Sequence, residues 1–236
     1  MIRSSFLVVF SFAAGLSVAF GENRSERLIE PLRPFASQVD AAIRKLPESR
    51  RALLDRAVGF IGKELGEGGE VDLTFICTHN SRRSHLSQIW AQVGAHYYAV
   101  GTVRTFSGGT ESTACNIRTV RALRRAGLSV VATTQGGNPR YLVQYSESEP
   151  PIEAYSKVYN VDGNPRKGFA AVMCCADADE RCPDVDGAEF RLALDYVDPK
   201  VSDGTPAEAA TYDERSVQIA TEMFYIMSQV AAKRAK

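Results

Sequence analysis

Val71-Asp72-Leu73-Thr74-Phe75-Ile76-Cys77-Thr78-His79-Asn80-Ser81-Arg82-Arg83-Ser84-His85 is the stretch that decides the fold. Val71 to Ile76 carries the β-branched and aromatic side chains of a strand. Beyond it, Leu86, Ile89, Trp90 and Val93 recur at three- and four-residue spacing, which predicts a helix. A strand that hands over to a helix through a polar loop is one unit of a parallel sheet. The same alternation continues downstream. Thr102 to Phe106 reads as a second strand, and Val120, Leu123 and Ala126, closed by Gly127, as a helix. Leu128 to Ala132, Gly168 to Cys175 and Phe190 to Tyr196 read as further strands. Thr205-Pro206-Ala207-Glu208 is a capping box with proline at the first helical position, and it opens a last helix through Tyr212, Ile219, Met223, Met227 and Val230. The expected fold is therefore α/β: an open parallel four- to five-stranded sheet with helices on both faces. Thr133 to Pro165, rich in Gly, Pro, Tyr and Ser, reads as an irregular excursion over the sheet's rim.

Toward the N-terminus, Phe35, Val39, Ile43 and Leu46 and then Leu54, Ala57, Val58, Ile61 and Leu65 predict a helical hairpin, with Pro47 near the second start and Gly66 at its end. Its charges, Arg44, Lys45, Arg50, Arg51, Asp55 and Arg56, read as a solvated face. Arg3, the apolar run Phe6 to Ala19 and the triplet Ala19-Phe20-Gly21 read as a signal peptide. The run is shorter than the roughly 20 residues of a spanning helix. Three segments follow: 1–21 a leader, 22–70 a helical extension, 71–236 a catalytic domain. Export to a periplasmic or extracellular space is expected, with an uncleaved, membrane-anchoring leader as the alternative. After cleavage no stable membrane insertion is expected.

The chain has 236 residues, 44% hydrophobic, with 28 basic and 28 acidic side chains. No global field draws it to nucleic acid or to an acidic membrane, so any anion affinity must be local. Neither CxxC nor HxxxH spacing occurs, so neither a metal site nor a cofactor is expected. Five cysteines (Cys77, Cys115, Cys174, Cys175, Cys182) in an exported chain leave at least one thiol unpaired or make pairing dynamic.

In an open parallel sheet ligands bind beyond the carboxyl ends of the strands, and the first strand ends at Cys77. The loop Thr78 to Arg83 feeds a helix near Ser84, so backbone N–H groups converge on one point where the helix dipole adds positive charge. Such a nest suits a tetrahedral oxyanion. Arg83 offers a planar fork for two of its oxygens, and the same field favours a thiolate at Cys77. Ser84 is placed to hydrogen-bond that sulfur. Thr78, His79, Asn80, Ser81, Arg82 and Ser84 are the candidate substrate contacts. His85, on the first turn of the helix, reads as a surface histidine, and His96 with Tyr97 and Tyr98 as helix-end packing.

Cys77-x5-Arg83-Ser84, preceded by Leu73-Thr74-Phe75-Ile76, resembles the signature loop of low-molecular-weight protein tyrosine phosphatases and thioredoxin-coupled arsenate reductases. The resemblance extends to Ser107-Gly108-Gly109-Thr110, to Asn116-Ile117-Arg118 opening the next helix, and to Asp198-Pro199, where the family carries its general acid. It covers residues 71 to 232. His79 stands where the family usually has glycine, and Arg82 where a second cysteine is common. Cys175-Ala176-Asp177-Ala178-Asp179-Glu180-Arg181-Cys182-Pro183 is similar to the redox segment of the arsenate reductases. That likeness implies a relay in which Cys77 attacks arsenate, Cys175 attacks the Cys77 sulfur, and Cys182 carries the disulfide out to a thioredoxin-like reductant. A structural disulfide or a metal pair is the other reading of Cys175 and Cys182. Cys174 is expected to point into the core opposite Cys175, Cys115 to fill space, and Asp177 and Asp179 to accept loop hydrogen bonds. Asp195 is read as a loop hydrogen-bonder.

Three functions stay open at this point. One is an arsenate reductase using Cys77, Arg83, Cys175 and Cys182. Another is a phosphatase hydrolysing phosphotyrosine or another phosphomonoester through Cys77, Arg83 and Asp198. The third is a non-catalytic anion-binding or redox-sensing module.

Overall fold

The computed structural model describes residues 23–182 and 184–234, so the leader expected over 1–21 lies outside the described residues. The elements run α1 (Arg33–Ala42), α2 (Glu48–Gly66), β1 (Val71–Cys77), α3 (Arg83–Tyr97), β2 (Val103–Gly109), α4 (Ile117–Arg125), β3 (Ser129–Ala132), β4 (Tyr141–Gln144), β5 (Ile152–Ala154), β6 (Phe169–Met173), α5 (Ala176–Arg181), β7 (Ala188–Ala193) and α6 (Glu208–Arg234).

Four strands form one parallel sheet in the order β2-β1-β6-β7. The chain leaves β1 toward β2 on one side and returns to β6 on the other. The switch in strand order therefore falls between β1 and β6, whose carboxyl ends carry Cys77 and, just beyond Met173, Cys174 and Cys175. An open sheet has its ligand crevice at such a switch point.

The strand expected at Leu128 to Ala132 does not join this sheet. It is β3, and it pairs antiparallel with β4, which pairs with β5, in a separate three-stranded sheet. Only Val130 of β3 is buried, the one-sided pattern of an antiparallel strand facing water, whereas a central parallel strand is buried on both faces. The segment read as irregular is thus partly ordered, and it is tied to the main sheet where Gly109 and Val158 form an isolated bridge.

Leu73, Phe75, Ala170, Val172 and Leu192 meet Ala57 and Ile61 of α2 and Met223 and Met227 of α6 in one apolar layer. The N-terminal hairpin therefore shares the core of the sheet, and α6 packs against α1, α2 and α3. Two of the hairpin charges read as solvated are engaged. Arg50 pairs with the buried Glu222, and Asp55 accepts from Tyr225 Oη at 2.8 Å. The apolar spacing marked which face of α2 is buried, but it did not show that α6 would carry polar partners along the edge of that face. Among the described residues no helix is long and apolar enough to cross a membrane.

Candidate active site

β1 is buried along nearly its whole length and stops at Cys77. The chain then turns through Asn80, whose φ of 44° lies in the left-handed region. Asparagine tolerates that region better than most residues, and the side chain is also used. Asn80 Nδ2 donates to Ser84 Oγ at 2.9 Å, and Asn80 Oδ1 accepts from the backbone N–H of Lys157 at 2.9 Å. The strain of the turn thus falls on Asn80, and His79, which stands in place of glycine, keeps a negative φ. The loop lies close against β2. A Cβ on Gly109 would sit 2.7 Å from Thr78 O and 2.8 Å from Asn80 N, so glycine is required there.

The nucleophile candidate is set by this frame. Cys77 is buried, and its Sγ lies 3.0 Å from Ser84 Oγ. No backbone N–H from Thr78 to Ser84 donates to another of the described residues, which leaves a row of donors around the loop. The guanidinium of Arg83 donates from Nη1 to Tyr196 O at 2.9 Å and from Nη2 to Asp198 Oδ2 at 3.0 Å. Among the described residues its buried Nε has no hydrogen-bond partner. Asp198 in turn caps the short 3-10 turn Pro199–Ser202, accepting from Lys200 N at 3.0 Å.

Arg82, expected beside the substrate, extends toward α6. Its Nε donates to Tyr212 Oη at 2.7 Å and its Nη2 to Asp203 Oδ2 at 3.2 Å, while Asp198 Oδ1 lies 3.8 Å away. Burial, above all, pushes the Tyr212 hydroxyl up to about 12, so it stays protonated and donates to Asp203 Oδ1 at 2.8 Å. The two arginines thus hold the segment from Tyr196 to Asp203 from two sides. His79 is half exposed and lies 3.7 Å from Glu111. Ser81 Oγ donates to Ala114 O at 2.7 Å, which fixes the loop to the start of α4, where Asn116 caps the helix by accepting from Arg118 N. A groove of about 700 Å³ runs along this side, walled by His79, Ser81, Arg82, Asn116, Ile117 and Tyr141 among others. Cys77 and Arg83 lie outside its walls.

His85 is not a surface residue. It is completely buried and its Nδ1 lies 3.3 Å from Ser107 Oγ. The reason is that α3 is enclosed almost all round, by α6 on one side and by β1 and β2 on another. Desolvation lowers its pKa to about 3, helped by the charge of Lys157, so it is neutral at physiological pH. His96, Tyr97 and Tyr98 do pack at the helix end, with the two tyrosine rings edge to face at 4.9 Å.

The remaining thiols are placed by sheet register. Ile76 pairs with Met173, and Cys174 N donates to Ile76 O at 2.7 Å, which brings the end of β6 level with Cys77. Cys174 Sγ approaches Ser87 Oγ of α3 at 3.5 Å. Cys175 points the other way, as alternation along a strand demands, and its Sγ lies 3.6 Å from Thr78 Oγ1. Burial raises the Cys174 thiol above its usual range and pushes Cys115 up to about 12, the values of inert core thiols. Cys182, at the other end of α5, is partly exposed, and all five cysteines are free. Asp179 anchors α5 to β7 through Arg191, with Nη2 to Oδ1 at 2.5 Å, and Arg191 Nη2 also donates to Cys182 O at 3.1 Å. Asp177 is exposed. Asp195 makes no side-chain hydrogen bond among the described residues and has a φ of 40°.

Sequence reading missed Ser156 and Lys157, which brace the loop at His79 O and Asn80 Oδ1, because they lie in the segment taken as irregular. It also missed Tyr196, whose contribution is a backbone carbonyl and leaves no trace in side-chain chemistry.

No family model matches the chain. The chain is similar to an arsenate reductase. That protein, from Bacillus licheniformis, is 25% identical over 143 residues, covering 60% of this chain and 83% of the relative. Among solved structures, a low-molecular-weight phosphotyrosine phosphatase from Vibrio cholerae O395 aligns with 70% of this chain and 94% of its own, at 9% identity and a TM-score of 0.41. A thioredoxin-dependent arsenate reductase from Corynebacterium glutamicum aligns with 79% and 81%, at 14% identity and a TM-score of 0.35. The similarity to the arsenate reductase from Bacillus licheniformis agrees with the resemblance carried by the Cys77–Ser84 loop.

Proposed function

We propose that the chain is a cysteine-dependent oxyanion enzyme of the arsenate reductase type, with Cys77 as nucleophile, Arg83 as oxyanion clamp, and Cys175 and Cys182 as a thiol relay. The observation that carries this reading is Cys175 Sγ lying 3.6 Å from Thr78 Oγ1, against the nucleophile's own loop. Hydrolysis through a phosphocysteine needs no second thiol, whereas the relay does.

The chemistry balances in three steps. The Cys77 thiolate displaces a hydroxyl group of arsenate, which leaves as water or hydroxide, and an S–As bond forms. Cys175 attacks the Cys77 sulfur, and the S–As bond breaks with its electron pair left on arsenic. Arsenite departs and a Cys77–Cys175 disulfide remains. Cys182 then attacks Cys175, freeing the Cys77 thiolate and leaving a Cys175–Cys182 disulfide for a thioredoxin-like dithiol to reduce. In the last exchange α5 has to open. Cys175 and Cys182 cap opposite ends of this six-residue helix. At about 1.5 Å of rise per residue their Cα atoms lie roughly 10 Å apart, against the ~7 Å limit for a disulfide. The Asp179–Arg191 pair is the contact that opening must break.

A specific observation also favours a second reading. Asp198 Oδ2 sits 3.0 Å from Arg83 Nη2, where a carboxyl group serves first to protonate a leaving oxygen and then to activate water on a phosphocysteine. The leader leads us to place the enzyme outside the cytoplasm, which requires its dithiol donor in the same compartment.

The deciding experiment is a paired assay of arsenate reduction and aryl phosphate hydrolysis on the chain without residues 1–21, with a dithiol supplied. Reduction that Cys175→Ser abolishes supports the reductase. Hydrolysis alone, unaffected by that substitution, hands the site to the phosphatase reading.

A further inference from the structure

The helical extension reaches the site by a chain of buried and partly buried polar contacts. Arg50 of α2 donates from Nε to Glu222 Oε1 at 2.9 Å and from Nη2 to Glu222 Oε2 at 2.7 Å. The same Nη2 donates to Leu194 O at 2.6 Å, and the guanidinium lies over the Tyr196 ring, 5.4 Å from its centroid. Tyr196 Oη donates to Glu222 Oε2 at 2.7 Å, and Tyr196 O accepts from Arg83 Nη1 at 2.9 Å. Glu222 is 1% exposed and Tyr196 2%.

The segment held in this way is strained. Between Leu194 and Tyr196 stands Asp195, with a φ of 40°, a region that costs a residue bearing a Cβ. That kink turns the Tyr196 carbonyl toward Arg83, and Asp198 follows on the same segment. Arg50 grips the kink on one side by the Leu194 carbonyl, and Glu222 grips it on the other by the Tyr196 hydroxyl. A fully buried carboxylate costs several kcal/mol unless it is paired. Arg50 of α2 supplies the cationic partner of Glu222, and Tyr196 Oη and Gln218 Nε2 donate to it as well.

We propose that Arg50 and Glu222 are positioning residues for Arg83: they lock the Leu194–Tyr196 kink so that the Tyr196 carbonyl aligns the guanidinium fork for a tetrahedral oxyanion. The inference rests on the reading of the Cys77–Arg83 loop as an oxyanion site. The N-terminal extension is then part of the machinery that sets anion affinity, and its contribution goes beyond fold stability.

The test measures how much inorganic phosphate half-protects Cys77 from iodoacetamide, with labelling sites mapped by peptide analysis. Arg50→Lys keeps the charge and loses the two-armed contact with Glu222, and Tyr196→Phe removes only the hydroxyl that Glu222 accepts. Each is expected to raise the half-protecting phosphate concentration roughly tenfold, the effect of about 1.4 kcal/mol of lost alignment. Tyr225→Phe is the control, because it removes another hydrogen bond between α6 and α2, to Asp55, without touching Tyr196. It should lower the melting temperature and leave phosphate protection at the wild-type value. If Arg50→Lys does not fold, Tyr196→Phe carries the test alone. Wild-type Cys77 that phosphate does not protect would overturn the oxyanion reading and this one with it. Protection in the wild type that is unchanged in the folded variants, or that Tyr225→Phe weakens equally, would overturn only the positioning role.

Discussion

Replacing Arg83 with lysine keeps the charge and removes the fork. In the structure the guanidinium spends Nη1 on Tyr196 O and Nη2 on Asp198 Oδ2, and its buried Nε has no partner among the described residues. A lysine carries its donors on one atom. Once that ammonium has satisfied Asp198 and the Tyr196 carbonyl it cannot also present two parallel N–H groups to an oxyanion. At least one charge-assisted hydrogen bond to the transition state is lost, worth about 3 kcal/mol in a water-excluded site. At 1.36 kcal/mol per factor of ten, turnover should fall by roughly 10²-fold or more. The assay is kcat/KM for whichever activity the wild type shows, with thermal melts alongside. The melting temperature should change little, since the lysine still pairs with Asp198. Activity within about threefold of wild type in a folded Arg83→Lys protein would refute the reasoning, because the oxyanion would then have to bind away from this arginine.

Four further outcomes are expected. Iodoacetamide should label Cys77 before the other cysteines, and phosphate or arsenate should block it; uniform labelling would remove the nucleophile reading. Cys182→Ser should stop after one turnover with arsenate and accumulate a Cys77–Cys175 disulfide seen by peptide mapping, whereas stability loss with unchanged chemistry would make the pair purely structural. Arg191→Met, which releases α5 from β7, should speed formation of the Cys175–Cys182 disulfide in stopped-flow oxidation; an unchanged rate would mean that α5 opens by some other route. Burial pushes Lys157 down to about 8. The unfolded lysine holds its proton to about 10.4, so this group makes stability rise with pH between those values. Lys157→Met should erase that rise and add on the order of 3 kcal/mol at pH 7, read by urea unfolding from pH 7 to 10 as the difference from wild type.

The local arrangement of the candidate site was legible because its residues sit close together in sequence. Cys77, Asn80, Arg83 and Ser84 belong to one βα turn, and both the strand before it and the helix after it announce themselves by period. Cys175 was legible only as the end of a strand and through the resemblance of its segment to a redox loop; that the segment folds as the short helix α5 was not. What could not be read was anything that joined distant segments through the backbone or through burial. His85 looks like a polar residue on a helix's first turn, but nothing local says that α3 is covered on nearly every side. β3 has the composition of a sheet strand, and only its one-sided burial assigns it to a second sheet. Arg50 looks like one more charge on an amphipathic helix until Glu222, 172 positions later, is found buried opposite it.

The distribution of charge bears on how a chain with equal numbers of acidic and basic residues would make the proposed anion site. The two adjacent arginines of the loop do not act alike. Arg82 is consumed by Tyr212 and Asp203, and Arg83 is held only through its two terminal nitrogens, by one carbonyl and one carboxylate. Full exposure would leave the fork free to rotate. The carbonyl of Tyr196 fixes one arm of Arg83 without adding a second negative charge to that of Asp198. That makes the Leu194–Tyr196 kink, a piece of backbone strained at Asp195, the point on which anion affinity turns. It also gives a reason for the kink to be gripped from outside the sheet by the partly buried Arg50–Glu222 pair, since a loop relaxing at Asp195 would withdraw the carbonyl and let Asp198 close alone on the arginine.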